Sequence, residues 1–461
     1  MSLREATGTA EAAVREPDVS AQGLARMAWA LAIPILFVEI GETVIDVTDV
    51  VFVARVGTTE LAALALGNVA LDLAAVPVIG LAEAMQVVIA RRFGQRRERA
   101  IGTTFVRSLA LVFVLSVLVA ALLLLLAGPI AGLVAGSGPV ATELERFLKI
   151  GAVGLVPFSL NLVYASLYVG LAAARVLVGA TLALTFTNVV VGYALVFGAL
   201  GFPALGLRGA ALAFVAAEVV ALLYLAAHTV RRLDRGRFGL AGRVEPDARA
   251  MRSLVRVGGP MAGQVAIESL RWLVFFLILA RVSETALASS NIVYACYALF
   301  LVPATAFGEA AYSLVSNAIG GGRPDRIRWL TRRLVVAALL VTIPFVQLTL
   351  AFPDAVTALF TPDEAVVGET LTTLAIVGAA IVVIVPADLW LAALFGTGDS
   401  DAAAVIEAVA TSAMLAFAAV AALVLGLDLE YVWLGLPLAS LVTLAAAYGW
   451  MRSGRWRRRV I

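Results

Sequence analysis

The sequence predicts an all-α membrane protein of twelve transmembrane helices arranged as two pseudo-symmetric six-helix lobes. Three observations carry this. The 461-residue chain is 62% hydrophobic and 14% charged, with mean hydropathy +0.99, a balance foreign to soluble enzymes. Twelve mostly apolar runs reach the roughly 20 residues needed to cross a bilayer. The two halves also repeat each other, as Pro34 aligns with Pro260, and that register holds without a gap from 34 to 101.

The runs, in order, are 24–55, 61–90, 103–127, 147–172, 176–200, 207–230, 253–280, 286–317, 330–352, 367–395, 402–426 and 431–451. Several exceed the minimum length, which implies tilt or protrusion beyond the hydrocarbon. Along the repeat Glu42 meets Glu268, Ala54-Arg55-Val56 meets Ala280-Arg281-Val282, and Pro77 meets Pro303. Glu83-Ala84 likewise meets Glu309-Ala310, Gly94 meets Gly320 and Arg97 meets Arg323. Paired prolines and paired membrane glutamates in one register point to an internal duplication. Its pseudo-twofold axis then lies along the membrane normal, with a substrate site expected where the halves meet.

Arginine placement sets the topology. Clusters at Arg91 to Arg99, Arg231 to Arg256, Arg323 to Arg333 and Arg455 to Arg459 all fall on one side if both termini are cytoplasmic. The opposite loops carry Asp354, Asp363 and Glu364, then Asp428 and Glu430. The turn with Asp399 and Asp401 is an exception, cytoplasmic yet without arginine. The expected organisation is a disordered cytoplasmic tail (1–23), an N-lobe (24–230), a cytoplasmic linker (231–252), a C-lobe (253–452) and a basic tail (453–461).

The first run is the most informative. It is apolar enough to span, yet carries Glu39, Glu42, Asp46 and Asp49. Their spacing of three, four, three keeps them on one helix face, within an arc of roughly 80° and over about 15 Å of axis. An ionised carboxylate at membrane depth costs at least about 2.5 kcal/mol, so this stripe belongs on a wet cavity or beside cations. Crowded carboxylates in such a site can hold a proton near neutral pH or, ionised, Na⁺; the alternative is that they pair with arginines of neighbouring helices and fix the packing.

In the seventh run Glu268 is followed by Arg271 on the same face. The pair is either a permanent structural ion pair or a built-in counter-ion that substrate or coupling ion displaces. Asp388 lies two residues after Pro386, which frees backbone groups and bends the helix. Asn68, Asp72, Asn161, Tyr164, Asn188, Glu218, Asn291, Tyr294, Tyr297, Trp390 and Glu407 are further polar residues in spans, and asparagine and tyrosine there more often hydrogen-bond between helices than contact substrate.

Other chemistry finds little footing. His228, the only histidine, reads as an interfacial residue, and Cys296, the only cysteine, allows no internal disulfide. No nucleophile triad, phosphate loop or metal-ligand spacing is present, so the sequence predicts neither an enzyme nor a cofactor. The net charge of +2, spread over helix ends, predicts no nucleic-acid partner.

The segment Pro34 to Gly57, ending DVVFVARVG, resembles the first helix of the multidrug and toxic compound extrusion (MATE) family. AMQVVIARRFGQ, SLVSNAIGGGRPDR, GFPALGLRGAALA and VWLGLPLAS resemble further family segments, in family order. The resemblance implies two six-helix lobes and antiport of H⁺ or Na⁺ against amphipathic organic cations by alternating access, in a monomer of the cytoplasmic membrane. By position Asp49 matches the family's first-helix acid, Glu268 the seventh-helix glutamate of the NorM-like branch, and Asn188 the fifth-helix asparagine of the DinF-like branch. The acid expected four residues later is Gly192 here, and Asp388 sits about a turn from the family's tenth-helix acid. Glu39, Glu42 and Asp46 are candidates to replace the missing acid.

The alternative is a lipid-linked precursor or polysaccharide flippase of the same architecture. A diphosphate cargo calls for a cationic cavity, whereas the intramembrane charge here is mainly acidic.

Overall fold

A computed structural model describes residues 20–234, 236–239, 248–352 and 364–458. Much of the expected 1–23 tail and 231–252 linker, the last residues of the basic tail, and Asp354 and Asp363 lie outside these residues. The described chain forms twelve long helices, and each expected run falls in its own helix. They are α1 (Ala21–Ala54), α2 (Thr58–Gly94), α3 (Glu98–Ala135), α4 (Pro139–Gly170), α5 (Arg175–Phe197) and α6 (Leu207–Arg232). The second set is α7 (Ala248–Leu279), α8 (Glu284–Gly320), α9 (Ile327–Ala351), α10 (Glu364–Gly396), α11 (Ser400–Ala419) and α12 (Gly435–Ser453). No strand occurs among the described residues. Backbone polar groups without water must pair within their own segment, and a helix does this for every run.

The duplication is visible in the backbone. In the register that pairs Pro34 with Pro260, both ends of α2 fall on both ends of α8, Thr58 on Glu284 and Gly94 on Gly320. Pro34/Pro260 and Pro77/Pro303 lie inside paired helices. The packing pattern repeats too. In one set α4 packs against α2, α3 and α6, and α5 against α6; in the other α10 packs against α8, α9 and α12, and α11 against α12. The chain divides into two compact units, Ile33–Ala262 and Val19–Ala32 with Gly263–Ile461. α1 and α7 each change units beside their paired proline.

Between lipid-embedded helices apolar burial gives little drive, so close van der Waals packing holds them. The core of the first unit follows from that, with Leu64, Leu71, Leu123, Phe147, Leu148 and Leu155 filling the space between α2, α3 and α4. Gly80 of α2 meets the backbone of Gly258 and Ala262 in α7, where an added Cβ would collide with main-chain atoms. In the second unit Trp29 stands edge-on to Phe307 at 5.4 Å. The arginine-free turn is also explained: Asp399 is only 2% exposed, and Trp450 Nε1 donates to its Oδ2 at 2.9 Å.

Candidate functional site

Each unit gathers its own carboxylates. In the first, α1 is helical throughout the stripe, so Glu39, Glu42, Asp46 and Asp49 do share a face. That helix meets α5: Thr185 Oγ1 reaches Gly41 O at 3.5 Å, Gly41 stands against the Thr181 methyl, and Phe52 lies edge-on to Tyr193 and Phe197. The α1–α5 packing brings Asn188 beside Asp49. Asp49 Oδ1 and Asn188 Oδ1 are both buried without a hydrogen-bond partner. Asp46 acts on Asp49 and on Asp72 of α2, so the three aspartates form one electrostatic group. Among the described residues no arginine or lysine acts on any of the three. No group of His, Cys, Asp and Glu placed to hold a metal ion is found among the described residues. Gly192 faces Phe52 and Ala213 at ordinary contact distance, so the ring lies where an acid at 192 would point.

In the second unit the acids surround a cation. Arg271 of α7 donates through Nη1 to Glu407 Oε1 at 2.6 Å and through Nη2 to Glu268 Oε1 at 3.2 Å. Gln264 Nε2 donates to the other oxygen of Glu268 at 3.3 Å. Asp388 of α10 acts on Arg271, Glu268 and Glu407 from nearby, with the buried Tyr297 among them. The group thus sets three carboxylates against one guanidinium, whose Nε is buried and unpartnered. One wall is aromatic, with Trp272 at 4.6 Å from Tyr294, 5.4 Å from Tyr297 and 6.0 Å from Trp433. Trp433 is fixed by its Nε1 donating to Ser290 Oγ at 3.0 Å.

The two groups are not copies. In the register of the repeat, Arg271 falls opposite Ile45, and Glu407 opposite Thr181. Chemically, the first group offers carboxylate and amide oxygens to a cation or proton, while the second offers the same behind a resident arginine.

Sequence reasoning brought forward Glu268, Arg271, Asp388, Asp49 and Asn188, and the structure places them in these two groups. It named Glu407 and Asp72 only as further polar residues of the spans and gave neither a place in a site. One signal was available for Glu407: an arginine in the middle of a span needs a buried counter-charge, and few mid-helix acids exist to supply it.

Comparison with known proteins returns one family model, MatE, which matches residues 34–194 and 260–420, two stretches that coincide in the register of the repeat. The probable multidrug resistance protein NorM of Thermotoga maritima is 24% identical over 438 residues, covering 94% of this chain and 93% of its own. Its namesake in Brucella suis is 29% identical over 339 residues, 70% of each chain. Among solved structures, a MOP superfamily transporter from Pyrococcus furiosus superposes with TM-score 0.87 over 95% of this chain and 97% of its own. At 20% identity that likeness concerns the fold.

Proposed function

The chain belongs to the MatE family of membrane transporters, and from that premise we propose that it is a secondary active efflux transporter exchanging H⁺ or Na⁺ for amphipathic organic cations. It works as a monomer in the cytoplasmic membrane, with both termini cytoplasmic and two lobes alternating access. The observation that carries the reading is the Asp46–Asp49–Asp72 group, three carboxylates at intramembrane helix positions that no arginine or lysine among the described residues opposes. Charge so placed is costly unless a mobile cation or proton occupies it. The names of the relatives, multidrug resistance proteins, point the same way. A flippase for lipid diphosphates would need the opposite polarity.

In this reading Asp49 with Asn188 is the ion site of the first unit, with Asp46, Glu42 and Glu39 extending it along α1. Glu268, Arg271 and Asp388 form the second, where Arg271 is a counter-ion that incoming charge displaces. The test is efflux of an ethidium-like cation from proteoliposomes under an imposed H⁺ or Na⁺ gradient. Efflux under at least one gradient, lost in Asp49→Asn, is the expected result; efflux under neither overturns the proposal.

A further inference from the structure

Outside both carboxylate groups, α4 and α6 enclose a titratable side chain that the efflux reading leaves unused. Glu218 is 6% exposed and lies near the midpoint of α6 (Leu207–Arg232), hence mid-span. Its hydrogen-bond partner is neutral: Asn161 Nδ2 of α4 donates to Glu218 Oε2 at 2.7 Å and to Glu218 O at 2.9 Å. Those two bonds use both amide protons and leave Asn161 Oδ1 a buried acceptor without a donor. Among the described residues no charged or titratable group of α2, α4, α5 or α6 acts on Glu218. A mid-membrane carboxylate with one amide partner is strongly disfavoured, whereas the same carboxyl with a proton is not.

A second polar group lies on the same two helices, toward their arginine-bearing ends. Tyr168 of α4 stands 3.0 Å from His228 Nδ1 and 2.7 Å from Thr229 Oγ1. Thr229 gives its one proton to Leu225 O at 2.8 Å, so it accepts from the Tyr168 hydroxyl, whose oxygen in turn accepts from His228 Nδ1–H. Tyr224 stacks on His228 at 6.3 Å, and Gly179 of α5 leaves room for its hydroxyl. Asn161 and Tyr168 are two helical turns apart on α4, about 10 Å. Tyr164 of that stretch and Tyr224 of α6 both act on Tyr168.

We propose that Glu218 is a proton-binding site of the first unit, reached from the arginine-bearing face along the row Tyr168, His228, Tyr224 and Tyr164, with water between the hydroxyls. It rests on the ion-driven reading for its purpose, but its test needs no transport. Infrared difference spectra of the full chain in lipid, acidic minus alkaline, follow the carboxylic-acid band. The expected result is a band gained on acidification, lost in Glu218→Gln, shifted in Asn161→Leu, and kept in Asp49→Asn and Glu268→Gln. Exchange of that proton for deuterium slows about tenfold in Tyr168→Phe and in His228→Phe. The proposal is overturned by wild-type and Glu218→Gln spectra that coincide, by a band that never titrates, or by exchange unaltered in both ring variants. Should Glu218→Gln not fold, the Asn161→Leu shift decides alone. A titrating band in a protein that effluxes nothing leaves this site standing and removes the efflux reading.

Discussion

Arg271 is closer to Glu407, on the distant helix α11, than to Glu268 one turn before it on α7: 2.6 Å against 3.2 Å. Exposure agrees, since the Glu407 side chain is 7% exposed and that of Glu268 47%. The α7–α11 contact is therefore the tighter ion pair, and the i,i+3 pair on α7 is the looser one.

Removing the guanidinium strands the buried Glu407. Arg271→Gln is expected to destabilise the protein by about 3–5 kcal/mol. Adding Glu407→Gln restores at least about 1 kcal/mol, whereas adding Glu268→Gln restores less. The lone buried thiol, Cys296, supplies the measurement through its thermal exposure to a fluorogenic maleimide. Equal rescue by the two glutamine variants would refute the ranking.

Asp49→Asn removes the carboxylate that touches Asn188. Gradient-driven efflux should fall roughly tenfold or more, while binding of the organic cation to purified protein changes little. Asp46→Asn, at an exposed position of the same group, should cost less. Efflux from the two variants in parallel proteoliposomes checks the order.

Gly80→Leu forces a side chain into the backbone of Gly258 and Ala262. Overpacking of this kind costs about 1–3 kcal/mol, and backbone cannot swing aside as a side chain can. A melting temperature lower than that of Gly259→Leu, where nothing stands within contact distance, is the expected comparison.

Trp450→Phe keeps the ring and deletes the donor to the buried Asp399. A loss of about 1–3 kcal/mol follows. The double variant with Asp399→Ala should be less than additive, read by the same thiol assay.

Span number, helix pairing by repeat and the shared face of the α1 acids were all legible because each rests on local periodicity or on internal comparison. Glu42 and Glu268, Pro34 and Pro260 announce themselves that way. What remained hidden was which faces meet. Arg271 and Glu407, Asp46 and Asp72, and Asn161 and Glu218 are joined by packing between distant helices, which hydrophobic pattern does not encode. His228 shows the cost of judging a side chain alone, for its place near the end of a span was legible but its tie to Tyr168 was not.

Ile45 and Arg271 occupy matching places in a duplicated frame, and this mismatch makes the halves unequal tenants of one architecture. On the efflux reading, a cation meets a resident guanidinium in the second half, whereas beside Asp46, Asp49 and Asp72 none among the described residues stands in its way. On that reading the two halves hold the same kind of guest with different strength.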